Sequence, residues 1–219
     1  MLWPAAMPER PARHTLIWLS AHADWRADVA AQEPRLAAWF AQGLPAMVAR
    51  RAVDDPDPRL RLGVPLPPNE GKLRLALRVP LQDVQRLQLP PTLDAVLTAG
   101  VPTDWQQALH TLARIAPARV FGAFAWQHLS RLPYVHPRSD IDLLWQGQTR
   151  TQGDALVAHL NAWEHEHGRR VDGELSLPDG GAVNWREYAG DSRQVLVKRL
   201  DGAALESREH VFMATGVAA

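Results

Sequence analysis

Two aspartates separated by one residue, Asp140 and Asp142, stand in the segment PRSDIDLLW. In an extended strand, residues i and i+2 point to the same face, so both carboxylates are predicted to project together while Ile141 and Leu143 face the other way. At a separation of about 6 to 7 Å and an effective dielectric constant of about 20, the two charges repel by about 2.5 kcal/mol. Water, a nearby arginine or a divalent metal can offset this repulsion. The pair therefore indicates either a metal site or a solvated edge strand.

A second feature lies upstream, where VFGA (120–123) ends a predicted strand and opens a predicted helix. Gly122 lets another group approach the backbone closely, and the first turn of a helix presents free N–H groups with a partial positive charge. Gly122 and Ala123 are therefore candidates for a phosphate seat. The alternative is an ordinary strand-to-helix turn.

A third feature is the segment RRVDGELSL, which reads as another strand with Asp172 and Glu174 on one face. Alone, this pattern also describes an exposed strand face. Together with Asp140 and Asp142, it supplies oxygen ligands of the kind that Mg²⁺ prefers, completed by substrate phosphates. Two such ions can stabilise the attacking and leaving oxygens of an in-line displacement at phosphorus. We therefore expect a two-metal site for Mg²⁺, with Mn²⁺ as a substitute, and we leave open whether Asp172 or Glu174 is the third ligand.

The elements that must position these residues fall into two parts. Residues 1–90 are predicted to form a small α+β domain, with strands at 13–20, 45–51 and 72–80, a helix at 34–42 and a loop rich in turn formers at 54–72. Residues 91–219 are predicted to form an α/β layer of helices against a mixed sheet. Its predicted helices are 103–116, 123–132 and 151–168, and its predicted strands are 118–122, 139–147, a hairpin over 169–188, and 194–200.

Composition excludes several classes of function. The chain has 219 residues, of which 46% are hydrophobic, and its 24 Lys and Arg balance its 24 Asp and Glu, which argues against general nucleic-acid binding. No apolar run approaches the roughly 20 residues that span a membrane, and the N-terminal residues do not form a signal-peptide pattern. The absence of cysteine excludes disulfides, zinc–thiolate sites and thiol nucleophiles. We therefore expect a cytoplasmic protein.

The motifs also resemble a known family. Gly122-Ala123, the Asp140-Ile141-Asp142 triplet and the later strand carboxylate resemble the nucleotidyltransferase superfamily to which DNA polymerase β belongs. The longer segments VFGAFAWQHLSRLPYVHPRSDIDLLW, VDGEL, DGGAVNWREY and VLVKRLDG are similar to the phosphoribosyl-dephospho-coenzyme A transferases of malonate decarboxylase systems, also called holo-acyl-carrier-protein synthases. RHTLIWL, AMVARR and the strand at 72–80 resemble the N-terminal domain of that family, so the likeness covers nearly the whole chain.

The resemblance implies a polymerase β-like fold for residues 91–219 and a role for residues 1–90 in binding the substrate or the carrier. The implied donor is triphosphoribosyl-dephospho-coenzyme A, attacked at its α-phosphate by a serine of the malonate decarboxylase acyl carrier protein, with loss of diphosphate. Asp140 and Asp142 would be the catalytic pair, and Asp172 or Glu174 would complete the metal ligands and accept the serine proton. The chain departs from the superfamily at Ala123, where serine is usual, so that a hydroxyl contact to phosphate is lost.

Two further residues are candidates for binding phosphate. Ser139 stands directly before the acidic pair, and Lys198 interrupts an otherwise apolar strand. Lys198 is equally well interpreted as a surface lysine whose stem covers apolar atoms. Two alternatives to the implied function also remain: a nucleotidyltransferase that acts on another small molecule or protein, and a binding module with a degenerate site, which Ala123 makes conceivable.

Overall fold

Two separate β-sheets organise the chain, which a computed structural model describes over residues 11–52, 54–146 and 149–213. The chain divides into two units, Met1–Leu89 and Pro90–Ala219, and each unit holds one of the sheets. None of the helices in the described part of the chain is both long and apolar enough to cross a bilayer. The combination of helices with antiparallel and mixed sheets confirms the predicted α+β class.

The first unit contains an antiparallel six-stranded sheet in the order β2-β5-β4-β3-β1-β6. Its strands are β1 (Leu16–Leu19), β2 (Arg26–Ala27), β3 (Ala46–Val48), β4 (Leu60–Pro65), β5 (Arg74–Val79) and β6 (Val84–Gln88). The prediction of a loop over 54–72 is wrong at residues 60–65, which form β4. The surrounding prolines obscure a short period-two pattern in which Leu62 and Val64 are fully buried.

One α-helix, α1 (Glu33–Ala41), belongs to this unit and lies close to the predicted helix at 34–42. Pro34 stands in its first turn, where a main-chain N–H would have no partner within the helix, so that the missing N–H of proline costs no hydrogen bond. Leu36 and Trp39, three residues apart on one face, are completely buried. The Trp39 indole donates a hydrogen bond of 2.9 Å to the carbonyl of Pro45, which fixes the end of the helix against the start of β3.

The described part of the second unit contains a mixed six-stranded sheet in the order β12-β11-β10-β9-β8-β7 and five α-helices. The strands are β7 (Arg119–Phe121), β8 (Ile141–Trp145), β9 (Val171–Ser176), β10 (Ala182–Asn184), β11 (Gln194–Lys198) and β12 (Ala203–Ser207). The helices are α2 (Leu93–Thr98), α3 (Thr103–Ala113), α4 (Gly122–Ser130), α5 (Arg150–His167) and α6 (Trp185–Ala189).

Three of these elements differ from the predictions. The predicted hairpin is present as β9 and β10, but its last residues form the short helix α6 instead of continuing the strand. Two more elements, α2 and β12, were not predicted at all. β12 is an edge strand whose residues are mostly exposed, so it carries little of the apolar alternation from which strands are recognised.

β8 and β9 are the parallel pair of this sheet, and every other pairing in it is antiparallel. Parallel neighbours require a long crossover connection, which α5 supplies. A capping box between Thr149 and Gln152 starts α5, and Gly168, in the left-handed conformation with φ of 59°, ends it as predicted. The crossover thereby brings β9 beside β8.

The two faces of the mixed sheet differ in character. One face contributes to the hydrophobic core of the unit through Ile141, Leu143, Trp145, Val171, Leu175, Val183 and Val197. Because side chains alternate along a strand, the other face carries Asp142 on β8, Asp172 and Glu174 on β9, Asn184 on β10 and Lys198 on β11. The polar residues are therefore held on a single surface by the burial of their apolar neighbours.

Gly173 has a specific packing role between β8 and β9. A Cβ atom at this position would lie 2.4 Å from the carbonyl oxygen of Leu143 and 2.7 Å from Cζ3 of Trp145. Neither neighbour can yield easily, because the first is main chain and the second is an indole that is 1% exposed. Glycine at position 173 therefore permits the close contact of the two strands that carry Asp142 and Asp172.

We expect Gly173→Ala to lower the free energy of unfolding by about 1 to 3 kcal/mol, because a methyl group is forced into a filled core. Gly63→Ala is the matched control, since Gly63 also lies in a strand and its nearest new contacts would be 3.9 and 4.0 Å away. That control should be neutral or stabilising by up to about 1 kcal/mol. Urea unfolding followed by tryptophan fluorescence measures both, and equal stability of the two variants would refute the packing role.

Candidate active site

The candidate site is centred on two aspartates on adjacent strands. Asp142 on β8 and Asp172 on β9 are direct partners in the parallel register, and Asp142 also pairs with Phe121 on β7. Neighbouring strands are about 4.8 Å apart, so the two carboxylates lie side by side on one face of the sheet. The structure therefore brings together residues that are far apart in sequence and that were predicted separately.

Gly122 permits a close contact between the start of α4 and the Asp142 side chain. It has a positive φ of 63°, and a Cβ atom here would lie 1.9 Å from Oδ2 of Asp142. Only glycine satisfies both conditions, because other residues rarely adopt this conformation and none has room. The Asp142 carboxylate consequently lies at the N-terminus of α4, where the partial positive charge of the helix offsets its negative charge. Ala123, the second residue of α4, offers a main-chain N–H at the same end.

Asp172 is fixed through one of its two oxygens. Oδ1 accepts a hydrogen bond of 2.8 Å from the Gly173 amide and one of 2.9 Å from Nδ2 of Asn184. Asn184 was not identified from the sequence. Its signal was the pattern of an N-cap residue before a helix, and it was missed because α6 itself was not predicted.

Glu174 has different surroundings, although it shares the face of Asp172. It is only 6% exposed, its partner on β8 is Leu144 instead of a carboxylate, and Nζ of Lys198 lies 3.5 Å from its Oε1. The two residues form an ion pair next to the acidic site. Of the two candidates for the third carboxylate, Asp172 is thus the one that stands beside Asp142.

Asp140 and Ser139 lie directly before β8, at the exposed end of the site. Oδ2 of Asp140 is 3.5 Å from Nε of Arg170, and the side chains of both residues are largely exposed. The Ser139 hydroxyl oxygen accepts a hydrogen bond of 2.9 Å from the His136 amide. The proton of that hydroxyl still allows Ser139 to donate to a phosphate oxygen.

The oxygen donors of this region fit a hard divalent cation in their chemistry. Asp140, Asp142 and Asp172 supply only carboxylate oxygens, which suit Mg²⁺ and Mn²⁺. Within the described residues, no three His, Asp or Glu side chains are gathered closely enough to hold a metal as they stand. Asp142 and Asp172 are paired in the register of the sheet, whereas Asp140 lies 3.5 Å from Arg170.

A separate cavity of about 440 Å³ lies beside the second half of α4. Phe124, His128, Arg131 and Val135 are among the residues that line it. Burial lowers the pKa of His128, and the charge of Arg131 lowers it further, so that the imidazole is neutral at pH 7. The lining of this cavity includes none of the candidate site residues.

Comparison with known proteins assigns both units to one family. Residues 88–209 match the model of the C-terminal domain of the phosphoribosyl-dephospho-CoA transferase MdcG, and residues 12–90 match the model of its N-terminal domain. No solved structure matches the chain.

Curated relatives agree over most of their length. The chain is 51% identical to a phosphoribosyl-dephospho-CoA transferase of Xanthomonas campestris pv. campestris, over 91% of this chain and 96% of the relative. It is 39% identical to a protein of the same name from Bradyrhizobium diazoefficiens, over 94% and 95% of the two chains. For a Pseudomonas putida relative, also so named, the identity is 31% over 89% and 93%. The resemblance seen in the sequence is confirmed, and the chain belongs to the phosphoribosyl-dephospho-CoA transferase family of enzymes.

Proposed function

We propose that this enzyme transfers the phosphoribosyl-dephospho-CoA group from triphosphoribosyl-dephospho-CoA to a serine of the malonate decarboxylase acyl carrier protein. Family membership supports the donor and the type of reaction. The observation that carries the catalytic assignment is the pairing of Asp142 with Asp172, next to the start of α4, in a member of that family. The presence of both aspartates, paired in the register of one sheet, favours an active enzyme over a degenerate binding module.

The proposed reaction is a displacement at the α-phosphorus of the donor. The serine oxygen forms the new P–O bond, the bond from the α-phosphorus to the diphosphate oxygen breaks, and diphosphate leaves with the electron pair of that bond. The serine proton must be taken up as the new bond forms. Asp172 is the proposed acceptor through Oδ2, which accepts no hydrogen bond from the described residues and has a second lone pair for the proton besides the one that would face a metal ion.

Asp140, Asp142 and Asp172 are the residues that would hold Mg²⁺. The bound metal ions would neutralise the negative charge of the phosphates and of the developing transition state. The close contact with Gly122 fixes the position of Asp142. Two hydrogen bonds fix the position of Asp172. These contacts hold both ligands in place before substrate arrives, which is the condition for effective electrostatic catalysis.

Four residues are proposed to bind the phosphates of the donor. The main-chain N–H groups of Gly122 and Ala123 lie at the N-terminal end of α4. Ser139, whose hydroxyl can donate, directly precedes Asp140. Lys198 lies on the same face of the sheet and is paired with Glu174. Its charge adds to the positive potential along this face, so that a triphosphate is attracted despite the neighbouring carboxylates.

We expect Asp142→Asn to reduce transfer by about 100-fold or more, since an anionic ligand is lost from a preorganised site. Stability should change by no more than about 1 kcal/mol, because the loss of the favourable interaction with the helix end is of that size. The assay is the mass increase of apo carrier protein incubated with donor, alongside a thermal melt. Asp191→Asn, at an exposed position before β11, is the control and should transfer at the wild-type rate. Wild-type rate in Asp142→Asn would remove the metal-ligand assignment.

Transfer should require Mg²⁺ or Mn²⁺ and should not be restored by Zn²⁺. The donors are carboxylates, the chain contains no cysteine, and the described residues form no histidine cluster from which a zinc site would be built. The enzyme is dialysed against EDTA, and each metal is added back separately before the rate is measured. Full activity without added metal, or recovery with Zn²⁺ alone, would contradict the proposal.

Asp172→Asn should mainly reduce transfer, whereas Glu174→Gln should mainly reduce stability. Asparagine at position 172 can still accept both hydrogen bonds through its oxygen, so the fold should be retained while transfer falls by about 100-fold. Glutamine at position 174 weakens the pair with Lys198 in a buried setting, so stability should fall by about 1 kcal/mol or more while transfer falls far less. Turnover at saturating donor and urea unfolding are measured for both. If transfer fell only in Glu174→Gln, Glu174 would be the third carboxylate.

A further inference from the structure

Asn184 links the candidate site to the short helix that follows it. It is the last residue of β10 and the N-cap of α6. Its Oδ1 accepts a hydrogen bond of 2.9 Å from the Arg186 amide, and its Nδ2 donates the 2.9 Å bond to Oδ1 of Asp172. One side chain thus caps a helix and holds a carboxylate of the site.

The orientation of the Asn184 amide is determined by its surroundings. A main-chain N–H can only donate, so the amide group nearest Arg186 must be the oxygen. The NH₂ group then necessarily faces Asp172, whose carboxylate can accept it. The orientation does not reverse, because a flipped amide would place a donor against the Arg186 N–H and an oxygen against a carboxylate.

The helix that Asn184 caps is itself held against β9. Trp185 is completely buried, and its indole donates a hydrogen bond of 3.2 Å to the carbonyl of Val171. The Arg186 guanidinium donates to the same carbonyl at 2.9 Å and also contacts Glu164 on α5. Asn184 therefore projects from a fixed part of the unit, directly beside the strand that carries Asp172.

We propose that Asn184 is a positioning residue, which holds Oδ1 of Asp172 in place so that Oδ2 is presented to the divalent cation. This inference rests on the proposed function. Both described hydrogen bonds of Asp172 fall on Oδ1, and together they fix the plane of the carboxylate. Without Asn184, only the bond from the adjacent Gly173 amide remains, and the carboxylate is less constrained about its last torsion.

A purely structural role for Asn184 makes a different prediction. Serine and aspartate cap helices about as well as asparagine, so either should substitute if capping were the whole function. Among these side chains, only asparagine combines an acceptor for Arg186 with an N–H donor for the Asp172 carboxylate. Aspartate keeps the acceptor and has no donor. Serine keeps a hydroxyl, but its oxygen stands where Cγ of asparagine stands, one atom short of the position of Nδ2. Both substitutions therefore retain the cap, lose the bond to Asp172 and separate the two roles.

The principal test is Asn184→Ser, measured in the full-length protein. Mn²⁺ binding is followed by the electron paramagnetic resonance signal of the free ion, and turnover is measured with donor and apo carrier protein. We expect Mn²⁺ affinity to fall about tenfold or more and kcat to fall by about 10- to 100-fold, since residues that orient metal ligands have effects of this size. KM for the donor and the melting temperature should stay close to wild type. Thr149→Ser, which exchanges the N-cap of α5 for serine, is the matched control and should change neither metal affinity nor kcat.

A second variant, Asn184→Asp, tests the same role in case Asn184→Ser destabilises the second unit. Aspartate has nearly the same shape and can still accept from Arg186, but it cannot donate and it places a like charge beside Asp172. We expect its kcat to fall by about tenfold or more with the melting temperature retained. Wild-type kcat in Asn184→Asp would overturn the inference.

The two readouts distinguish failure of this inference from failure of the proposed function. If the wild-type protein does not modify the carrier, the proposed function fails, whereas weaker Mn²⁺ binding by Asn184→Ser still supports the positioning role. If the wild-type protein modifies the carrier and Asn184→Ser matches it in both metal affinity and kcat, the positioning role fails alone. If the wild-type protein binds no Mn²⁺, the positioning role also fails, because Asp172 then has no cation to receive.

Discussion

The parallel pairing of β8 with β9 is the constraint on which the site depends. Its register sets Asp142 beside Asp172, and a shift by one residue would turn Asp172 into the hydrophobic core while exposing Val171 or Gly173. Two features oppose such a shift. The apolar side chains of both strands are buried on the core face, and Gly173 leaves no space beneath Trp145 for any larger residue. The position of the carboxylates is thus a consequence of core packing on the opposite side of the same sheet, and the free energy of folding maintains it.

Holding several carboxylates on one face is unfavourable unless each has a compensating neighbour, and the structure provides a different one for each. The end of α4 faces Asp142, two N–H donors serve Asp172, Arg170 lies near Asp140, and Lys198 pairs with Glu174. These interactions differ in strength. Hydrogen bonds to a charged group contribute about 1.5 to 3 kcal/mol, a helix end about 0.3 to 1 kcal/mol, and an exposed ion pair about 0 to 1 kcal/mol. Asp172 is accordingly held more firmly than Asp140.

The sequence was sufficient to predict the strand that carries Asp142, the strand that carries Asp172 and Glu174, and the glycine at the start of α4, because each follows from period-two alternation or from a local turn. It could not decide between Asp172 and Glu174. That choice depends on the register between two strands, and register is set by contacts between segments separated by a whole helix. The role of Asn184 could not be predicted from the sequence for a related reason. Its partner Asp172 is a long-range contact, and α6 has five residues, too few for a helical period to be seen.

In the proposed reaction, the unequal restraint of the carboxylates would keep the site open until substrate arrives. A fully assembled set of three carboxylates would concentrate negative charge where the proposed triphosphate donor binds, and repulsion would oppose both the assembly of the carboxylates and the binding of the donor. In the structure, Asp142 and Asp172 are fixed while Asp140 lies at the exposed end of β8 in an ion pair of 3.5 Å. Breaking that pair costs at most about 1 kcal/mol, so Asp140 is the proposed ligand whose movement costs least. Under the proposed function, Arg170 would then be a cation beside the exposed end of the site. Asp142 and Asp172 would define the geometry of the metal site, and Asp140 would complete it by exchanging Arg170 for the metal ion.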